Sequence, residues 1–193
     1  KIFIILGETD AAREALKYSS HIKENYNKTY PLSLNKTYTQ TQACMAIYFD
    51  IVDDKKLALD ILLKTIKENN DTIDFGVIGN RTFWRVLAEN GYIDLAIKLM
   101  TQDDKLSYKK IIDQGATTLF EKFINFDTTI FNLPMDLKDD AERSYNHHFW
   151  GDISAFFIRH LAGIQINNPF ELTFMPSLSD KIKHIKCTHH NIN

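Results

Sequence analysis

TQTQACMAIYFDIVDDKKLALDILLKTIKENN, residues 39–70, carries two amphipathic helices and the turn between them. In the first, from about Thr39 to Phe49, the small and apolar residues Ala43, Cys44, Ala46 and Ile47 share a face. Asp53 or Asp54 then offers a carboxylate to the free N–H groups of a second helix. Leu57, Ala58, Ile61, Leu62 and Ile66 recur there at the 3.6-residue period. Asn69 and Asn70 end it. Helices joined by so short a turn lie antiparallel, so the stretch reads as a helical hairpin.

The same pattern extends both ways. Upstream, Thr9 can cap a helix to about Asn25, with Leu16, Ile22, Tyr26, Ala12, Ala15 and Ser19 along one stripe. KIFIILG, residues 1–7, reads as the last turns of a buried helix with its C-terminal Gly7. A chain that opens on a helix end reads as a piece of a longer one. Residues 27–38 form a loop around Pro31. Downstream, Gly76 and Gly79 punctuate a loop. Helices follow at about 81–89, ending at Asn90-Gly91, and at 92–100, carrying Leu95, Ala96 and Leu99. Short helices are expected at 107–112 and 117–124, and a polar loop at 125–143. A strongly apolar helix from about Phe149 to Leu161 turns Ile153, Phe156, Phe157 and Leu161 inward and stops at Gly163. Trp84 and Trp150 read as core. After Pro169, Leu172, Phe174 and Leu178 alternate with Glu171 and Thr173, which is the strand period. A second extended segment is expected through Ile182, Ile185 and Cys187. The fold expected is mainly α: helical hairpins in an array or toroid over residues 1–166, then a short β tail over 167–193.

Composition narrows the function classes. Hydrophobic residues at 44% and charged residues at 25% give a globular chain. A net charge of −2 supplies no basic surplus for nucleic acid or an anionic membrane. No apolar run approaches the length of a membrane span. Cys44 and Cys187 make no disulfide framework and leave the compartment undecided. In HIKCTHH, residues 184–190, a strand would scatter His184, Cys187, His189 and His190 over two faces, so a solvated strand is the better reading than a metal site. No phosphate loop, dinucleotide fingerprint or serine nucleophile elbow is present. Four Asn-x-Thr tripeptides, at Asn27, Asn35, Asn70 and Asn80, carry no weight in an Asn-rich chain.

Several loop segments, in order, resemble the catalytic domain of bacterial α-L-rhamnosidases, inverting glycoside hydrolases with an (α/α)6 barrel. They are Gln40-Thr41, Gly76-Val77-Ile78-Gly79, Asp113-Gln114-Gly115-Ala116-Thr117-Thr118 with Glu121, and Ser144-Tyr145-Asn146-His147 ahead of Gly151. The likeness extends over nearly the whole chain, and the residues from about 169 resemble the start of the family's following β-sandwich. It implies that Glu121 is the general base. Inversion needs one protonated acid for the leaving oxygen and one ionised carboxylate to take a proton from water on the other side of the sugar. From pattern alone, Glu121 reads as a solvated side chain paired with a lysine such as Lys122. The likeness also implies that His147, beside Asn146, contributes to a rhamnose pocket; from pattern alone His147 reads as structural. Tyr108 stands where the family usually has Trp, and reads as either a sugar platform or a core aromatic. Phe120, Lys122, Phe123 and Phe75 depart from the family pattern, as does Tyr108-Lys109-Lys110. No segment resembles the motif that holds the family's general acid.

The expected function is inverting hydrolysis of terminal α-L-rhamnosyl linkages, with a carbohydrate substrate, no cofactor and no metal. Neither nucleic acid nor membrane is an expected partner. The acid would lie outside this chain, which alone would be inactive and prone to self-association. Another (α/α)-barrel carbohydrate-active enzyme, or a non-catalytic helical interaction module, stands as the alternative. Glu121 and His147 are expected to face one cleft.

Overall fold

The computed structural model describes residues 2–113, 115–119, 144, 146–168 and 171–188. Among the described residues, seven helices come first: α1 (Ile2–Ile5), α2 (Thr9–Thr29), α3 (Gln40–Tyr48), α4 (Lys55–Glu68), α5 (Val77–Glu89), α6 (Ile93–Thr101) and α7 (Tyr108–Asp113). A last helical run, α8, joins a 3-10 turn (His148–Asp152), an α turn (Ile153–Phe156) and a π turn (Phe157–Leu161). Strands β1 (Ile164–Asn168) and β2 (Glu171–Phe174) pair antiparallel, Ile164 opposite Phe174, with an irregularity between Ile166 and Asn168.

The hairpin of residues 39–70 forms as its pattern requires. Thr39 caps α3 through a reciprocal capping box with Gln42, and Asp54 accepts from the Leu57 N–H to cap α4. Such caps contribute about 1 kcal/mol each. Ala43, Cys44, Ala46 and Ile47 of α3 and Ala58, Ile61, Leu62 and Ile66 of α4 are buried. Helix α3 packs on both α4 and α5, and α5 packs on α6 and α8. The result is an inner row, α3–α5–α8, with α4 and α6 each backing its hairpin partner. Phe75, Phe83, Trp84, Trp150 and Phe156 form the aromatic centre of the row, Phe75 and Phe83 with centroids 4.4 Å apart. Both tryptophans are core residues, as expected.

Several local expectations are corrected. Gly79 does not punctuate a loop, because α5 begins at Val77 and contains it. A Cβ at Gly79 would lie 2.6 Å from Thr41 Oγ1 and 2.7 Å from Phe75 Cβ. The glycine therefore permits close approach of α3 and α5 rather than a turn. Thr9 is the first residue of α2 and not its cap; Glu8 precedes it without a side-chain cap bond. Residues Ile2–Leu6 are exposed in this chain, while Gly7, at φ +75°, ends α1 as expected. The change from helix to strand comes at Ile164, ahead of Pro169. Among the described residues, 182–187 hold no strand. The helix expected at 117–124 and the loop at 125–143 lie largely outside the described residues.

Candidate active site

Three of the segments singled out by sequence, Gln40-Thr41, Gly76–Gly79 and the one that holds His147, lie at the N-terminal ends of the inner row. Gln40, the first residue of α3, is buried; its Nε2 donates to the Thr72 carbonyl at 2.8 Å and its Oε1 accepts from the Asp74 N–H at 2.9 Å. This amide ties the start of α3 to the 72–76 loop that leads into α5. One residue on, Thr41 meets Gly79. From α5, Asn80 Nδ2 donates to the Phe149 carbonyl at 3.0 Å, in the first turn of α8. The His147 N–H, just before α8, donates to the Leu119 carbonyl at 2.6 Å. A continuous series of contacts thus links residues 40–41, 76–80, 147–149 and 119.

Along the first turns of α5 and α8, and bounded by the C-terminal half of α3, runs a groove of about 480 Å³, the size of a small-ligand pocket. Met45, Phe49 and Ile78 give it apolar walls, and Arg81, His148 and Asp152 give it polar groups. Asp152 is held from behind. Arg85 Nη2 donates to both of its carboxylate oxygens at 3.1 Å, and Arg85 Nη1 donates to the Tyr48 hydroxyl at 3.1 Å. The arginine is 7% exposed, and its Nε has no partner. Arg85 thereby joins all three inner helices, α8 by the ion pair and α3 by the hydrogen bond to Tyr48. His160, deeper in α8, titrates below the ordinary histidine range, because it is buried and because Arg85 and Arg159 add positive charge nearby. Burial also pushes the Cys44 thiol up to about 11, so it is an inert core group against Thr82.

His147 is half-buried, its ring centroid 5.2 Å from that of Phe149. Asn146 is exposed, and its N–H donates to Ser144 Oγ at 3.3 Å. Tyr108 is 7% exposed; its hydroxyl approaches Asn80 Oδ1 at 2.9 Å and the Trp150 carbonyl at 3.0 Å. Of its two readings, burial supports the core aromatic. Burial also drives its hydroxyl pKa strongly upward, which keeps it a neutral donor. Glu121 lies outside the described residues. Asp113 is exposed and pairs with Lys109. His184 and Cys187 are exposed, and His189 and His190 lie outside the described residues. Among the described residues no three His, Cys, Asp or Glu side chains group to hold a metal, and no helix is long and apolar enough to cross a membrane.

Sequence reasoning missed Asn80, the Arg85–Asp152 pair and His148. Asn80 entered only as part of a tripeptide, although its spacing of four from Trp84 put the amide within reach of the indole. Asn80 is completely buried and both its amide atoms are bonded.

Residues 1–161 match the family model described as the bacterial α-L-rhamnosidase 6 hairpin glycosidase domain. An α-L-rhamnosidase of Formosa agariphila is 32% identical over 161 residues, which cover 81% of this chain and 17% of that protein. One from Streptomyces avermitilis is 25% identical over 164 residues, covering 81% and 15%. The chain therefore spans about a sixth of the length of these relatives. The solved α-L-rhamnosidase of Dictyoglumus thermophilum superposes with a TM-score of 0.70 at 27% identity, over 86% of this chain and 18% of that one. That of Streptomyces avermitilis complexed with L-rhamnose shares the fold at a TM-score of 0.72 and 22% identity, over 91% and 17%.

Proposed function

Since the chain belongs to the bacterial α-L-rhamnosidase six-hairpin glycosidase family, we propose that the full-length protein hydrolyses terminal α-L-rhamnosyl linkages with inversion, Glu121 acting as general base. The observation that carries this reading is the match over residues 1–161, which spans every segment meeting at the inner-row helix starts. Geometry adds support for the pairing of Glu121 with His147. The His147 N–H is bonded to the Leu119 carbonyl, and Glu121 follows Leu119 by two residues. Two residues of chain reach at most about 7 Å, which is compatible with the proposed pairing.

In this mechanism Glu121 takes a proton from a water as that water attacks the anomeric carbon. His147, able to donate and accept, orients sugar hydroxyls, with Asn146 beside it at the rim. Tyr108 is assigned a place behind the pocket. The general acid comes from a part of the protein outside this chain, because nothing here resembles the family's acid motif. The chain alone is then inactive, since inversion needs two carboxylates about 6.5–9.5 Å apart.

The test is hydrolysis of an aryl α-L-rhamnoside by the full-length protein, followed by proton NMR. The β-anomer of rhamnose is expected first, before mutarotation. Glu121→Gln is expected to lower kcat by about 10²- to 10⁴-fold with the fold retained. Early release of the α-anomer would overturn inversion, and near-normal kcat in the variant would remove Glu121 from the mechanism.

A further inference from the structure

We infer that Asn80 is a positioning residue of this active site, its side-chain amide setting where the His147 turn stands relative to the segment that leads to Glu121. The inference rests on the proposed function. Asn80 lies on the inward face of α5 and is completely buried. Its Nδ2 donates to the Phe149 carbonyl at 3.0 Å. Its Oδ1 accepts from Trp84 Nε1 at 2.8 Å and from the Tyr108 hydroxyl at 2.9 Å. The orientation of the amide follows from these partners. Flipping it would set donor against donor at Trp84 and acceptor against acceptor at Phe149.

A residue needed only to fill this aromatic core would be apolar, since a buried amide is costly unless its bonds are made. Here the bonds are made, and one goes to the backbone of the turn that presents His147. That turn is closed by the Trp150 N–H on the His147 carbonyl at 3.3 Å. The His147 N–H then reaches the Leu119 carbonyl. Asn80 is therefore the anchor of a relay running from α5 through Phe149 and His147 to Leu119. Its donor holds the turn, while Trp84 and Tyr108 hold the amide.

Two substitutions in the full-length protein test this. Asn80→Asp keeps the shape and the acceptor but changes the group facing Phe149. Ionised, it sets oxygen against oxygen; protonated, its O–H donates to the carbonyl as the amide did. Burial raises the pKa of such a carboxyl. The titratable groups that bear on it are the Tyr108 hydroxyl and Asp152, whose charge acts on Tyr108 and is paired with Arg85. Relative to wild type at each pH, Asn80→Asp should lose about 10- to 100-fold in kcat at alkaline pH, the scale of a misplaced catalytic turn. It should recover as the pH falls, with KM within about threefold throughout. Asn80→Ala should show a similar loss with no recovery. A kcat ratio for Asn80→Asp that is flat with pH, or a kcat for Asn80→Ala within about twofold of wild type, would overturn the inference. If Asn80→Asp does not fold, Asn80→Ala decides through its split between kcat and KM. If the wild-type protein cleaves no rhamnoside, the proposed function fails by itself. Hydrogen exchange over residues 146–150 then decides the positioning claim: amides in Asn80→Ala should exchange roughly tenfold faster, and unchanged rates would overturn it.

Discussion

In α5, eight of thirteen residues are buried, whereas none of the twenty-one residues of α2 is. Both helices have an apolar stripe at helical spacing. The stripe of α5 lies between α3, α6 and α8, and that of α2 leaves Leu16 and Ile22 about 60% exposed. Helix α2 is held mainly at its C-terminal end. Tyr26 packs on the core, Asn27 bonds the Ile51 carbonyl and the Asp53 N–H, and Lys23 lies 3.6 Å from Asp50 and Asp53. Exposed ion pairs of this kind contribute about 0–1 kcal/mol each. An amphipathic period states that a stripe exists. It does not state what covers it.

The contrast can be broken most sharply at Trp84, which is 1% exposed at the centre of the row. Trp84→Ala should cost about 3–5 kcal/mol, measured by the urea midpoint and slope. A cost under about 1 kcal/mol would mean that the inner row is not the stable unit. Next comes Asp152→Asn, which leaves the Arg85 charge buried without its counter-ion. Removing one partner of a fully buried pair costs about 3–5 kcal/mol, and the partial exposure of Asp152 reduces the expectation to about 2 kcal/mol. Equilibrium unfolding of the variant beside wild type measures it.

A smaller effect is expected at His160. Its folded pKa is depressed, so below the ordinary histidine value the unfolded chain binds more protons than the folded one. Stability should therefore fall as pH drops through about 6.5 towards the folded pKa, and be fully present above that window. A pH series of thermal midpoints should show this step in wild type and lose it in His160→Asn. The smallest change is expected on α2: Leu16→Ser should alter stability by less than about 0.5 kcal/mol. Sedimentation of the isolated chain should nevertheless show less self-association in that variant, because the uncovered stripe is where copies would meet.

The fold was largely legible because its signals are local. Residues 39–70 contain their own caps, stripe and stop, and α6 begins and ends within about two residues of its expected bounds. Gly79 misled because one of the atoms that call for a glycine there, Thr41 Oγ1, is far away in sequence. A glycine required by a close approach looks the same in sequence as one required by a turn. The network around the site was hidden for a similar reason. The bonds of Asn80 to Tyr108 and Phe149 span 28 and 69 positions, and Arg85 meets Asp152 across 67. Glu121 came from likeness to a family, since from its own neighbourhood of Phe120, Lys122 and Phe123 it reads as a solvated glutamate.

The burial of Asn80 also bears on how the protein is made. Asn80-Arg81-Thr82 is a glycan acceptor by sequence, and a secretory pathway that glycosylates nascent chains meets it while it is still extended. A sugar attached there would occupy the nitrogen that bonds Phe149 and would have to fit where nothing is exposed. The inner row could not then close. Folding and glycan transfer compete for the same atom, so a eukaryotic secretory host should divide the product into an unmodified, folded pool and a modified pool that is retained or degraded.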